Sequence, residues 1–189
     1  PQRLHRNSQL LKKIEQQARL SEQSKTVQAM GRIYQQALSM VLSPKARKAF
    51  DLASEKTTDR QRYGLHTFGQ SVLLARRLIE AGVQFVTVYW HREVPTIDTS
   101  WDTHALNFQE LKNRLMPAVD RPISNLLEDL QSRGLLDETL VVWGSEFGRT
   151  PTTDVTANKP GRDHNPFGFT VWMAGGGVKP GYRYGATDE

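Results

Sequence analysis

The sequence predicts an α/β fold in which helices flank a mostly parallel sheet, with a helical segment ahead of it. Three apolar runs of strand length predict the sheet: residues 83–89, 139–143 and 169–174. Amphipathic helical patterns precede the first two runs, and a glycine follows each of these helices. Because strands that are apolar almost throughout are buried on both faces, this order is typical of a parallel sheet covered by helices.

Residues 1–62 are predicted to form the helical segment. Apolar residues recur at steps of three and four over 3–42, and the polar stretch 21–26 can divide this pattern into two helices. The segment is expected to pack on a further part of the protein or on a partner.

Ser43 and Pro44 are typical of a helix start. A serine hydroxyl can cap amides that lack a partner, and proline is tolerated in the first helical turn. The two residues therefore predict a short helix over 44–53. A polar bridge is expected from there to Arg62.

Residues 63–189 are predicted to be the C-terminal part of the α/β domain. One helix is expected over 63–81 and a second over 105–133. The second should bend or restart near Pro117, because proline lacks the amide hydrogen that a continuous helix needs. The loop 150–165 is long for a compact domain, so it is a candidate functional segment.

Composition excludes several classes of protein. The chain has no cysteine, which excludes disulfides, thiolate zinc sites and cysteine nucleophiles and leaves His, Asp and Glu as strong metal ligands. It has no run of 18 apolar residues that could span a membrane, and residues 1–30 carry too many charges for a signal peptide.

Charge is distributed unevenly along the chain. Residues 1–90 hold 15 Lys/Arg and 6 Asp/Glu, a net charge of +9, whereas residues 91–189 hold 10 and 14, a net charge of −4. The basic half has no aromatic residues interleaved with basic clusters, so the pattern does not predict a nucleic-acid partner.

Charged and imidazole side chains follow the predicted strands on three separate loops. They are Asp102 and His104, Glu146 and Arg149, and Asp163 and His164. Ligands of such sheets bind outside the carboxyl ends of the strands, so we expect these side chains to meet at one edge. Mixed imidazole and carboxylate ligands suit zinc, manganese or iron better than an all-oxygen calcium cage.

Each loop also has an ordinary structural interpretation. Asp102 can cap the following helix, which would leave His104 as a surface residue. Glu146 and Arg149 can form an ion pair that closes a turn, although Glu146 could equally bind metal and Arg149 could hold an anionic substrate between two N–H donors. The recurrence of such residues on three loops favours a shared site.

A series of short motifs covers about residues 40–189. They are Ser43-Pro44-Lys45-Ala46-Arg47, Arg62-Tyr63-Gly64, Trp101-Asp102-Thr103-His104, Glu146-Phe147-Gly148-Arg149-Thr150-Pro151, Gly161-Arg162-Asp163-His164 and Ala174-Gly175-Gly176-Gly177. This series resembles the C-terminal half of the family called domain of unknown function 1501. Asn165 departs from the family pattern, in which tryptophan is commoner.

That family resembles a branch of the alkaline phosphatase and sulfatase superfamily, whose α/β proteins bind phosphate or sulfate esters on paired divalent metals at strand ends. The resemblance implies an alkaline phosphatase-like partial domain with four metal ligands: Asp102, His104, Glu146 and His164. It implies catalytic or substrate-binding roles for Arg149 and Asp163. The implied metal is zinc, with manganese and calcium as alternatives.

The activity that the resemblance implies is metal-dependent hydrolysis of a sulfate or phosphate ester on a small molecule or polysaccharide. The nucleophile and a further metal-binding aspartate would come from an N-terminal half, so these 189 residues are expected to be inactive alone. The alternative is a non-catalytic, metal-stabilised binding or cell-envelope module of the same fold. The resemblance also implies export, often by a twin-arginine signal, to the periplasm or envelope of a bacterium.

Overall fold

The computed structural model describes Lys13 and residues 31–35, 43–90, 101–144, 147–153 and 160–186. The chain forms two compact units, residues 1–48 and 49–189. In the first unit the described residues 31–35 are helical, in agreement with the pattern over 3–42, most of which lies outside the described residues. Within the described ranges, no helix has the length and apolar character needed to cross a membrane.

Helix α1 (Pro44–Phe50) begins where Ser43 and Pro44 predict it. The Ser43 hydroxyl accepts a hydrogen bond from the Ala46 amide at 2.9 Å, which satisfies a donor that has no partner inside the helix. The predicted helix is confirmed, although it ends at Phe50 and a 3-10 turn, Leu52–Ser54, follows it.

Helix α2 (Thr57–Tyr63) occupies the stretch for which the sequence predicted a polar bridge. That prediction was wrong, since the stretch is helical. The helix has no amphipathic pattern because it buries a single residue, Tyr63, and leaves its polar residues at the surface. The buried ring packs against Val72 and Leu73 in the second compact unit. The first compact unit ends at residue 48, and the division predicted at residue 62 stays a prediction.

Helix α3 (Thr67–Glu80) begins later than the predicted start at residue 63. Gly64 has a φ of +87°, a conformation that side chains disfavour, and it separates α2 from α3. His66 then caps α3, because its Nδ1 accepts a hydrogen bond from the Gly69 amide at 3.3 Å. The helix ends just before Gly82, as predicted.

The second predicted helical region, over 105–133, is confirmed as three successive segments. Helix α4 (Asn107–Glu110) continues into a π turn (Leu111–Leu115) and then into helix α5 (Met116–Ser132). The change from π to α geometry falls next to Pro117, where the missing amide hydrogen predicts a restart.

The apolar core of the second unit lies between α2, α3 and α5. Tyr63, Val72 and Leu73 are buried there, and Ile123 and Leu126 of α5 pack against them. Burial of apolar side chains from segments far apart in sequence is the main force that holds these three helices together.

A buried ion-pair network lies among the same helices. The Arg76 side chain is 2% exposed, and its guanidinium lies 3.1 Å from Glu55, 2.8 Å from Glu80 and 3.6 Å from Asp129. The Tyr63 hydroxyl donates a hydrogen bond to Asp129 at 2.9 Å. Because a buried guanidinium is costly without partners, these acids fix the packing of α2, α3 and α5.

The described strands form two short antiparallel pairs. Strand β1 (Leu140–Trp143) pairs with β4 (Trp172–Gly175), and β2 (Gly148–Arg149) pairs with β3 (His164–Asn165). β1 confirms the strand predicted over 139–143, and β4 occupies the end of the predicted run 169–174. Neither pair is parallel, and the mostly parallel sheet stays a prediction for the complete domain.

The apolar run 83–89 has no strand partner among the described residues. Alternate residues still divide into two faces: Val88 packs against the core, whereas Phe85 and Tyr89 are 85% and 81% exposed. A strand requires a neighbour that shares its backbone hydrogen bonds, so this extended segment meets the side-chain pattern of a strand without its pairing.

Candidate metal centre

The β2 and β3 ladder places residues from two of the three predicted loops side by side. Arg149 lies directly opposite His164 in the antiparallel register, and the Thr150 amide donates to the Asp163 carbonyl at 2.8 Å. Residues 148–150 and 163–165 are therefore held in one plane by backbone hydrogen bonds. This ladder is the support of the site.

Three side chains that could together hold a metal ion converge beside the ladder. The Nε2 atoms of His104 and His164 lie 2.9 Å and 2.7 Å from Oδ1 of Asp102. One ligand atom from each residue lies within 4.8 Å of the other two, and the imidazole rings are 4.6 Å apart between centroids. The convergence of Asp102, His104 and His164 that the sequence predicts is present.

The position of the His104 loop depends on the backbone of residue 161. Gly161 packs so closely that a Cβ atom there would overlap the His104 carbonyl oxygen. The next turn is fixed by a buried pair, because the Asn107 side chain donates to the Thr103 hydroxyl at 2.6 Å. Asn107 was not among the predicted site residues, although a polar pair spaced by four residues at a helix start is a recognisable pattern.

Asp163 lies outside the ligand cluster and faces the other nitrogen of His104. Its Oδ1 is 3.4 Å from His104 Nδ1, and the same oxygen accepts a hydrogen bond from the His164 amide at 2.7 Å. A carboxylate on the non-ligating nitrogen of a histidine fixes the ring and its tautomer. Asp163 can therefore orient the His104 ring and hold the backbone of His164 without itself binding metal.

Arg149 contacts the loop that carries Asp102. One terminal nitrogen, Nη2, lies 2.9 Å from the Trp101 carbonyl and 3.1 Å from Oδ1 of Asp102. The other, Nη1, lies 3.1 Å from the Arg162 carbonyl. The guanidinium thus spans the two loops that supply the cluster.

The electrostatic environment favours the charged form of Asp102. The hydrogen bond with His164 is the largest cause of a lowered pKa of this carboxyl, and the hydrogen bond from Arg149 and the charge of His104 lower the pKa further against the effect of burial. Metal ligation requires the deprotonated carboxylate, so the site holds this residue in the form that binds.

The residues fit a small divalent cation. With bonds of about 2.0–2.2 Å, two ligands in a tetrahedral zinc site are about 3.3 Å apart. The separations of 2.7 and 2.9 Å between Asp102 and the imidazoles are those of hydrogen bonds, so each imidazole would move away from the carboxylate by about half an ångström to admit an ion. Two imidazoles and one carboxylate are a donor set typical of zinc.

Aromatic side chains line the site. The Phe147 ring lies 4.3 Å from the His164 ring between centroids. Trp101, which precedes Asp102, contacts Trp90 at 5.7 Å and Trp143 of β1 at 6.3 Å, and Trp90 contacts Phe68 of α3 at 5.1 Å. A continuous aromatic series therefore connects the helical core with the loop that carries Asp102 and His104.

Glu146, the fourth ligand implied by the resemblance, lies outside the described residues, and its role stays a prediction. The middle of the loop 150–165, residues 154–159, also lies outside them. The described ends of this loop contain Asp163 and His164, so the long loop does contribute to the site.

Comparison with known proteins gives a family. The family model described as "Protein of unknown function (DUF1501)" matches residues 1–189 of the chain. No curated protein and no solved structure matches the chain significantly.

Proposed function

We propose that this chain, which belongs to the DUF1501 family, binds a divalent metal ion through Asp102, His104 and His164 as part of a metal-dependent hydrolase. The substrate class we propose is sulfate or phosphate esters. The observation that carries the proposal is the convergence of these three side chains from two loops on one point. Zinc is the proposed ion, with manganese and calcium as alternatives.

A divalent ion at this site would act as a Lewis acid on an oxygen of the bound ester. The chain's own residues would hold the ion and orient the ligands. Asp163 fixes the His104 ring from its far nitrogen, and Phe147 packs on His164 and limits rotation of that ring. We further propose that Glu146 completes the ligand set and that the protein acts in the periplasm or cell envelope.

Metal content tests the binding part of this proposal. The purified chain, dialysed after exposure to zinc, should retain the ion in stoichiometric amount, and the double variant His104→Ala/His164→Ala should not. His66→Asn is a matched control, because His66 lies at the start of α3 and an asparagine can still cap that helix. Equal metal content in the double variant and the control would refute the site.

Turnover tests the hydrolase part. We propose that the nucleophile comes from a part of the protein outside these 189 residues, so the assay uses the complete protein with aryl sulfate and aryl phosphate esters. Hydrolysis that is lost in His104→Ala and in His164→Ala is the expected result. Activity that survives both substitutions would contradict a catalytic role for the metal.

A second candidate is a metal-stabilised binding or envelope module without turnover. The two threonine hydroxyls next to the cluster are engaged: Thr103 is buried and bonded to Asn107, and Thr150 donates to the Thr152 carbonyl at 3.0 Å. If no other part of the protein supplies a nucleophile, the site would bind metal without turnover. A full-length parent that binds zinc and hydrolyses neither ester would support this candidate.

A further inference from the structure

We infer that Arg149 is a positioning residue that holds Asp102 in place as a metal ligand, and that it is not the group that binds the anionic part of a substrate. The inference rests on the proposed metal site and assigns a role within it. The sequence suggested that Arg149 holds an anionic substrate, whereas the hydrogen-bond donors of this side chain indicate a positioning role.

The guanidinium of Arg149 has three hydrogen-bond acceptors within the protein. A guanidinium has five N–H groups, two of them on each terminal nitrogen. Both hydrogens of Nη2 have acceptors, the Trp101 carbonyl at 2.9 Å and Asp102 Oδ1 at 3.1 Å. One hydrogen of Nη1 is directed at the Arg162 carbonyl at 3.1 Å.

Arginine binds an oxyanion in a defined, bidentate geometry. A guanidinium grips an oxyanion with two parallel N–H groups, either one from each terminal nitrogen or one from Nε together with one from Nη2. Both arrangements need a free hydrogen on Nη2. Because both Nη2 hydrogens of Arg149 are bonded within the protein, neither bidentate arrangement is available.

The hydrogen bonds of Arg149 connect the two loops that supply the cluster. Arg149 is paired with His164 across the β2 and β3 ladder, so its backbone moves with one ligand. Its side chain bonds the backbone and the carboxylate of the other ligand loop at Trp101 and Asp102. The guanidinium therefore sets the separation between Asp102 and His164. Its exposed fraction of 22% agrees with a role inside the protein.

The substitution Arg149→Lys distinguishes a substrate-binding role from a positioning role. An ammonium group keeps the charge but is a single point that cannot bond three acceptors in the directions of a planar guanidinium. A substrate-binding role predicts that Arg149→Lys weakens binding of an anion and leaves metal binding intact. A positioning role predicts that the same change weakens metal binding and distorts the ligand geometry.

The test measures metal and anion binding on the whole chain. Zn²⁺ affinity is measured by calorimetric titration, and ligand geometry by the visible absorption of the Co²⁺-loaded chain. Arg133→Lys is the matched control, because Arg133 forms an ion pair with Glu80 at 2.8 Å that involves none of the cluster residues. Inorganic phosphate and sulfate are then titrated into the metal-loaded proteins.

We expect Arg149→Lys to lose about 10- to 100-fold in Zn²⁺ affinity and to change the Co²⁺ spectrum, while its melting temperature stays near that of Arg133→Lys. Unchanged Zn²⁺ affinity and spectrum in Arg149→Lys would overturn the inference, all the more if phosphate binding were lost. Absence of Zn²⁺ binding by the unaltered chain would instead refute the proposed function, and the inference with it.

A measurement on the unaltered chain keeps the inference testable if Arg149→Lys does not fold. Nitrogen-15 resonances of the Arg149 guanidinium should show hindered rotation and slow exchange of the Nη2 hydrogens. They should not shift when phosphate is added to the metal-loaded chain. A phosphate-dependent shift with a loss of protection at Nη2 would overturn the inference.

Discussion

At the scale of single residues, one carboxylate oxygen contacts every other group at the centre of the proposed metal site. Oδ1 of Asp102 lies within 3.1 Å of a nitrogen of each of His104, His164 and Arg149. The carboxylate therefore connects two imidazoles and a guanidinium as well as offering a ligand atom. Removing the charge of Asp102 should therefore weaken metal binding strongly, although the side chain is exposed.

Asp102→Asn tests this role. The amide oxygen can still accept hydrogen bonds but is a neutral and weaker ligand, so we expect Zn²⁺ affinity to fall by about 100-fold or more, beyond the usual effect of an outer partner. Because the side chain is 57% exposed, the free energy of unfolding should change by only about 0.5 kcal/mol. Titration and urea unfolding measure the two effects. Asp137→Asn, an exposed carboxylate away from the cluster, should change neither.

The sequence predicts the ligands of this site better than it predicts their support. Asp102, His104 and His164 are predictable because an Asp/His pair after each of two strands is a local pattern. The contacts of Arg149 are not, because two of its acceptors are backbone carbonyls at positions 101 and 162. Any residue type offers a carbonyl, so the sequence contains no signal for such partners.

At the scale of the elements, the ion pairs of Arg76 should decide how strongly α2, α3 and α5 are held together. Arg76→Ala would remove the buried cation but leave Arg77 on Glu55 and Arg62 on Asp129, so we expect a loss of about 3 kcal/mol in the free energy of unfolding. Arg133→Ala removes another partner of Glu80, but a surface one, and should cost less than about 1 kcal/mol. Urea unfolding compares them, and similar losses in both would contradict a structural role for burial of the network.

The same network predicts a dependence of stability on acid. Burial opposes ionisation of Glu55, but hydrogen bonds from Arg77 and Arg76 outweigh it and hold the pKa below its ordinary value of 4.5. Because the folded-state pKa is the lower one, the stabilisation is complete above about pH 4.5 and is lost as the pH falls through the folded-state pKa.

Unfolding by urea from pH 7 to pH 3 measures this dependence. Glu55→Gln should be less stable than the unaltered chain at pH 7 and should lose less stability on acidification. Glu128→Gln, on a carboxylate that is 69% exposed, is the control and should follow the unaltered chain. Parallel curves for all three proteins would mean that Glu55 does not carry the effect.

The helices follow their sequence patterns more closely than the strands do. α3 and α5 have amphipathic repeats with clear ends, so local sequence suffices to predict them. α2 was missed because it is polar apart from Tyr63, and its stability comes from packing of that ring. The run 83–89 has a strand's alternation, but pairing depends on a neighbour that no local pattern specifies.

At the scale of the whole molecule, the metal should stabilise one region of the second unit more than the rest. β2 and β3 are two residues long each, so few backbone hydrogen bonds hold the ladder without a ligand. Removal of metal by a chelator should accelerate amide hydrogen exchange at 101–104, 148–150 and 161–165. Exchange in α3 and α5 should stay unchanged, because the buried core residues Tyr63, Val72 and Leu73 include none of the cluster residues. Uniform acceleration throughout would argue against a local site.

The arrangement of the strands is harder to predict from the sequence than the individual helices and strands are. The predicted parallel sheet is a property of strands far apart in the chain, whereas the described pairs are antiparallel ladders of at most four residues. The order of helix, glycine and apolar run predicts individual elements, but the order of strands in a sheet depends on contacts that the pattern does not contain.

The aromatic series from Phe68 through Trp90 and Trp101 to Trp143 gives the protein an intrinsic optical reporter. Indole emission responds to nearby charge and to ring stacking, and Trp101 is bonded directly to the residue whose carboxylate would receive the metal. An ion that enters the cluster should therefore change the near-ultraviolet dichroism and the fluorescence of the chain without any label. The emission of Trp101→Phe, compared with that of the unaltered chain, would assign the signal to the ring beside the site.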